Sequence, residues 1–215
     1  MKKHYISRST KSLLILSGLC FTLFLVRFLL TSEMLGFGLV WNLFLAWVPL
    51  FFALIARRYS KKENHILLYL SLGFWLLFFP NAPYIITDLV HLNHLTASLW
   101  WFDSLGIFMT AMTGLILGIY SLSIVHYLFE KYWGVLMAWV TVFISILLSG
   151  FGIYLGRFSR FNSWDLFTNP VFLLQSSLNE AFNPLAIKLT LVFTLVLSVL
   201  YISFRILKVQ PDEYQ

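Results

Sequence analysis

Six long apolar segments, separated by short polar stretches, form the dominant pattern of the chain. Each segment is close to the ~20 residues that a helix needs to cross the hydrocarbon core of a bilayer. We expect every segment to be a helix, because open strand edges cannot satisfy their hydrogen bonds in lipid. The predicted fold is one all-α polytopic membrane helix bundle over residues 1–215. The predicted spans are residues 13–30, 35–56, 66–86, 105–129, 133–156 and 185–207.

Composition agrees with this pattern and excludes several classes of protein. Of the 215 residues, 60% are hydrophobic and only 11% are charged, whereas roughly 25% of the residues in a soluble domain are charged. A soluble globule of this length cannot hide so much apolar surface, so soluble enzymes and nucleic-acid binders are excluded. The single cysteine, Cys20, allows neither an intrachain disulfide nor a CxxC metal site.

The basic residues predict the orientation in the cell membrane. Eleven of the 15 Lys and Arg residues are expected on one side, which the positive-inside rule makes cytoplasmic, together with both termini. The opposite side carries Arg157 and Arg160, while Arg27 and Lys188 lie in span ends, from which their side chains are expected to reach the interface. The net charge of +6 then indicates attraction to anionic membrane lipid and requires no nucleic acid. The eleven are Lys2, Lys3, Arg8, Lys11, Arg57, Arg58, Lys61, Lys62, Lys131, Arg205 and Lys208.

The third span is predicted to be broken by Pro80 and Pro83. Residues 66–79 supply about 21 Å of helix, which is short of the ~30 Å hydrocarbon core. The chain must therefore stay at membrane depth through both prolines, with Asn81 or Ala82 expected to cap a new helix. Two interpretations stay open at this point: a simple kink, or an interrupted helix that lines a polar site.

Polar side chains collect at the predicted outer ends of four spans, which indicates a ligand site on the extracytoplasmic face. Arg157 and Arg160 are spaced to hold an anion, because a guanidinium binds phosphate or carboxylate through two hydrogen bonds. Asp88 and His91 are the candidate catalytic acid or base. An internal charge network explains the same residues, and Asp103 also suits the N-cap of the fourth span. The candidate ligand-binding residues are Asn42, Asn81, Asp103, Arg157, Arg160, Asn162 and Asp165.

One spacing in this region suggests metal ligands. Residues 84–95 have an α-helical pattern that places Asp88, His91 and His94 on one face. Imidazole and carboxylate groups are typical zinc or iron ligands. A solvated polar face explains the same spacing, and no further metal motif accompanies it, so the sequence assigns no metal and no cofactor.

Two other patterns predict packing. The GxxxG sequences at residues 114–118 and 152–156 are expected to bring the fourth and fifth spans together. Asn169-Pro170 and Asn183-Pro184 each suit an N-cap followed by proline at the first helical position. They bracket a predicted amphipathic helix over residues 171–182 that lies on the outer surface.

Four sequence strings resemble one protein family. They are WNLFLAWVP (41–49), FPNAPYIITDLVH (79–91), WFD (101–103) and GRFSRFNSWD (156–165). Together they make residues 35–205 similar to the domain of unknown function family 1361. The resemblance implies a bacterial multi-pass membrane protein, and it implies no activity and no catalytic residue.

Three classes of function stay open from the sequence. The outer polar residues fit a membrane-embedded enzyme that acts on an anionic lipid-linked or envelope substrate. The broken third span fits a transporter or channel for a small solute or ion. The third class is a non-catalytic membrane component that binds lipid or a partner protein. Whether the protein is an enzyme, and its oligomeric state, are not determined by these patterns.

Overall fold

The computed structural model describes residues 8–32, 36–94 and 99–209, apart from the side chains of His91, Asn93, His94, Lys208 and Val209. Within these residues every regular element is a helix, which confirms the predicted all-α bundle. The α-helices are α1 (Arg8–Thr31), α2 (Phe37–Ser60), α3 (His65–Phe78), α4 (Asn81–Tyr84), α5 (Trp100–Arg157), α6 (Asp165–Thr168), α7 (Pro170–Glu180) and α8 (Pro184–Val209), and a 3₁₀ helix (Ile85–His94) follows α4.

Helix α5 is two helices joined at a sharp break. Its 58 residues correspond to about 87 Å of continuous helix, nearly three bilayer cores. At Gly134 the backbone has φ 85° and ψ 171°, so the chain turns there. Only glycine adopts this conformation readily, because it has no Cβ. The described residues thus hold five long apolar helical stretches, of which this one is double. The number of membrane crossings and their sidedness stay predictions.

Large apolar side chains cover the outside of the bundle. Leu29, Leu136 and Leu195 are 72%, 75% and 66% exposed, each on a different long helix. A soluble monomer rarely carries apolar surface on this scale, whereas lipid tails solvate it without cost. Small residues of α2, among them Ala46 and Ala53, are fully buried at the centre. The distribution is that of a membrane protein.

The break in the third span packs against the first GxxxG sequence. A Cβ placed on Gly114 would lie 2.7 Å from Cδ1 of Ile85 and 3.0 Å from the carbonyl oxygen of Ala82. One placed on Gly118 would lie 3.1 Å from Cβ of Ala82. The glycines of the first half of α5 therefore make room for α4 and the start of the 3₁₀ helix.

The second GxxxG sequence packs against the same segment. A Cβ on Gly152 would lie 2.8 Å from Cγ of Pro80, and one on Gly156 would lie 3.1 Å from Cε2 of Tyr84. The expectation that these glycines bring the two halves of α5 against each other is wrong. They accept the turn of the third span instead, because its two prolines produce a wide, irregular backbone that fits only where its neighbours lack side chains.

The local structure of the break also differs from the expectation. Helix α4 begins at Asn81, and its N-cap position is Pro80, so neither Asn81 nor Ala82 caps it. Residues 85–94 form a 3₁₀ helix rather than an α-helix. Because a 3₁₀ helix rises about 2.0 Å per residue, this segment is longer than an α-helix with the same number of residues.

The two Asn-Pro pairs begin helices as predicted. Pro170 is the first residue of α7, with Asn169 at its N-cap position. Asn183 precedes α8, and its Oδ1 accepts a hydrogen bond from the backbone N–H of Leu185 at 3.0 Å. Helix α7 has no buried residue, in agreement with a short surface helix.

Candidate functional site

A buried carboxylate connects three parts of the bundle at the end where α2 begins. Asp88, on the 3₁₀ helix, is only 3% exposed. Its Oδ2 accepts a hydrogen bond from Nδ2 of Asn42 on α2 at 2.7 Å. Nη1 of Arg157, the last residue of α5, lies 3.5 Å from Oδ1. These three residues are called the Asp88 cluster.

The contact between the Arg157 guanidinium and the Asp88 carboxylate is longer than a hydrogen-bonded ion pair. A buried carboxylate is costly unless it is paired and hydrogen-bonded, and Asn42 and Arg157 supply both kinds of partner. The ion-pair distance of 3.5 Å exceeds the 2.7–2.9 Å that is typical of charge-assisted hydrogen bonds. The Arg157 side chain is 26% exposed, and it donates no hydrogen bond to a residue that the structure describes. Several of its five N–H donors are therefore available to an anion.

A cavity of about 480 Å³ lies beside the Asp88 cluster. Asn42 belongs to both, since it lines the cavity and donates to Asp88. The remaining lining is mostly apolar, with Trp41, Leu76, Leu77, Leu148, Phe151 and Leu155 among its members. The other polar lining residues are Asn81, Tyr84, Asn162 and Ser163. This space is called the Asn81 cavity.

The polar wall of the Asn81 cavity is fixed by the loop after α5. Nδ2 of Asn81 donates to Oγ of Ser163 at 3.1 Å. The Ser163 hydroxyl in turn donates to the carbonyl oxygen of Leu77 at 3.1 Å. Ser163 therefore ties the loop to the break of the third span. It was not among the predicted site residues, although it lies within the string that carries the family resemblance.

Asp103 does not belong to the Asp88 cluster. Its Oδ1 lies 2.6 Å from Nε of Arg27 on α1, and both side chains are 4% exposed. Arg27 also donates through Nη1 to the hydroxyl of Thr31. The expectation that Arg27 extends to the interface is wrong, because α1 packs on α5 and presents this arginine to a buried partner. Nor is Asp103 the N-cap of α5, since that position is Leu99.

Arg160, Asn162 and Asp165 lie outside the Asp88 cluster: Asn162 lines the Asn81 cavity, while Arg160 and Asp165 line another cavity in the loop after α5. Arg160 is exposed in a left-handed conformation with φ 58°, and it forms no ion pair with any residue in the described ranges. Asp165 accepts hydrogen bonds from the backbone N–H of Asn162 at 2.7 Å and from Oγ1 of Thr168 at 3.5 Å. It thereby stabilises the turn into α6. The single cluster that the sequence suggested is divided into these groups.

The predicted metal set lies partly outside the described residues. Asp88 is placed as above, but the side chains of His91 and His94 are not described. Among the residues that are described, no three His, Cys, Asp or Glu side chains converge on a point that suits a metal ion.

Comparison with known proteins relates the chain to one family. A family model described as "Protein of unknown function (DUF1361)" matches residues 41–200. No curated protein and no solved structure matches the chain. The matched range contains the whole Asp88 cluster and the whole Asn81 cavity. The chain therefore belongs to the DUF1361 family.

Proposed function

We propose that the protein binds an anionic amphiphile, a lipid or a lipid-linked envelope molecule, at the extracytoplasmic side of the cell membrane. The anionic head contacts Arg157, and the apolar part occupies the Asn81 cavity. The observation that carries this proposal is the position of Asn42, which joins an apolar cavity to a buried carboxylate and a partly exposed guanidinium.

The dimensions and the lining of the cavity support an amphiphile. Ligand sites commonly measure about 300–1,000 Å³ and combine apolar walls with a few polar groups. Leu77, Phe151 and Leu155 provide the apolar surface, whereas Asn81 and Asn162 supply amides. A small inorganic ion gains nothing from contact with apolar walls. The lining therefore favours a ligand with a hydrocarbon portion over a transported ion.

The environment of Asp88 supports binding rather than acid–base chemistry. Both of its oxygens are engaged, one by Asn42 and one by Arg157. A carboxylate in this position attracts the guanidinium and orients it beside the cluster. We therefore assign Asp88 as a positioning residue of the anion site. An enzyme that used the same site needs a further proton-transfer group, for which His91 is the sequence candidate.

Photolabelling tests the proposal. We expect phosphatidylglycerol that carries a diazirine in one acyl chain to label the purified full-length protein within residues 73–77 and 148–155. Leu155→Trp, which fills the cavity, should abolish this labelling, while Leu136→Trp should not, because Leu136 is 75% exposed on the outside of the bundle and does not line the cavity. Labelling that is spread evenly over the lipid-facing helices in all three proteins would contradict the proposal.

A labelling experiment in intact cells tests the sidedness that the proposal requires. A membrane-impermeant maleimide should modify Arg160→Cys in intact cells and Lys61→Cys only after lysis. The native Cys20 is fully buried and gives a low background. The reverse pattern would place the Asn81 cavity on the cytoplasmic side.

A further inference from the structure

A second cavity lies at the opposite end of the bundle, the end expected on the cytoplasmic side. It has a volume of about 570 Å³ and is formed by residues of α2, α5 and α8, together with Lys61 directly after α2. Four of its lining residues are basic, and among the residues that the structure describes no carboxylate lines it. The four are Arg57, Lys61, Lys131 and Arg205. This space is called the basic cavity.

Among the residues that the structure describes, one of the four cations, Arg205, is paired with a carboxylate. Nη2 of Arg205 lies 3.5 Å from Oε2 of Glu130, which is also 4.0 Å from Nε2 of His126. In contrast, Arg57, Lys61 and Lys131 form no ion pair with any carboxylate in the described ranges. Lys131 has one further contact, with its Nζ 5.1 Å from the centre of the Tyr132 ring.

This arrangement differs from the general excess of basic residues near a membrane. The adjacent Arg58 and Lys62 do not line the cavity, whereas Arg57, which is half-buried, and Lys61, which is exposed, do. Several cations that converge from different helices repel one another, and walls of low dielectric constant concentrate their field on the space between them. A bound anion removes this repulsion. Tyr127, which also lines the cavity, carries a hydroxyl that can donate to the same ligand.

We propose that the basic cavity binds a phosphate group, either of a phospholipid headgroup or of a soluble phosphate compound. Arginine and lysine are the side chains that recognise phosphate, the first through paired hydrogen bonds and the second as a point charge. The cavity is large enough for a headgroup and is lined by too many cations for a single carboxylate. The proposal is independent of the Asn81 cavity, since the two spaces share no lining residue.

Two double variants with the same change in charge test the proposal in the full-length protein. Arg57→Gln/Lys61→Gln removes cations that line the cavity, while Arg58→Gln/Lys62→Gln removes neighbouring cations that do not line it. Retention of phosphatidic acid is measured by native mass spectrometry, and binding of pyrophosphate by calorimetry in neutral detergent. Gel filtration and circular dichroism check that both variants fold.

We expect the cavity variant to lose binding by about thirtyfold, the effect of two basic groups at a membrane surface, and the neighbouring variant to change less than about threefold. A loss confined to phosphatidic acid identifies a lipid headgroup as the ligand, and a loss confined to pyrophosphate identifies a soluble phosphate. Equal losses in the two variants, or no loss in the cavity variant, would overturn the proposal.

Discussion

Two Arg–Asp pairs lie among the residues that the structure describes, and they differ in what surrounds them. Nε of Arg27 lies 2.6 Å from Oδ1 of Asp103, and both side chains are almost completely buried between α1 and α5. Nη1 of Arg157 lies 3.5 Å from Oδ1 of Asp88, and the arginine side chain is 26% exposed. The first pair, called the closed pair, is shielded from solvent and holds α1 against α5. The second, called the open pair, leaves guanidinium donors free next to the residues that line the Asn81 cavity, where our proposal places the anionic head of a ligand.

This comparison shows that an arginine near the end of a membrane span has no fixed role. Its role follows from the helix packed against it and from the space beside it. Arg27 contacts a first-turn carboxylate of a packed helix. Arg157 lies at the end of α5, where the broken third span leaves room for the Asn81 cavity.

The largest loss of stability is expected when the closed pair, Arg27 and Asp103, is broken. Arg27→Met leaves the Asp103 carboxylate buried without its partner, which typically costs about 3–5 kcal/mol. Asp103→Leu in the same chain removes the stranded charge, so the double variant should recover most of this loss. Unfolding in mixed micelles with sodium dodecyl sulfate measures the free energies. A loss below about 1 kcal/mol for Arg27→Met would show that the pair is not a structural contact.

A smaller loss of stability is expected from a substitution that overpacks the break of the third span, which positions Asp88. Gly152→Ala places a methyl group 2.8 Å from Cγ of Pro80 and should destabilise the fold by about 1–3 kcal/mol, as overpacking does. Gly38→Ala is the matched control, because a Cβ there meets nothing within 4 Å. It should leave the free energy of unfolding unchanged or raise it slightly. Equal results for the two variants would mean that the glycine does not support the break.

The open pair is expected to matter least for stability. Arg157→Gln removes one partner of Asp88, but Asn42 remains hydrogen-bonded to it, so we expect a loss of about 1–2 kcal/mol. Arg160→Gln carries the same change in charge on an exposed residue without an ion pair in the described ranges, and should cost less than about 0.5 kcal/mol. If Arg157→Gln destabilises the protein as much as Arg27→Met does, the distinction between the pairs is wrong.

The sequence predicted the fold but only part of the site geometry. Hydrophobic length and the Pro80/Pro83 pair determine where helices form and where the third span breaks, because both act locally. The partners of the glycines could not be predicted, since GxxxG defines a smooth surface without defining what meets it. Arg27 was missed for a similar reason: a charge at a span end fits an interfacial side chain as well as a buried pair. Only the packing of α1 against Asp103 decides between them.

Binding of a short-chain phosphatidylglycerol to three forms of the protein tests the central claim most directly. The forms are the parent protein, Arg157→Lys and Arg160→Gln, and the affinity of each is measured in neutral detergent. We expect Arg157→Lys to bind at least about tenfold more weakly, because lysine keeps the charge but loses the two-hydrogen-bond geometry. Arg160→Gln should bind as the parent does. Parent-like affinity in Arg157→Lys, or an equal loss of affinity in Arg160→Gln, would contradict the assignment of the open pair as the anion site.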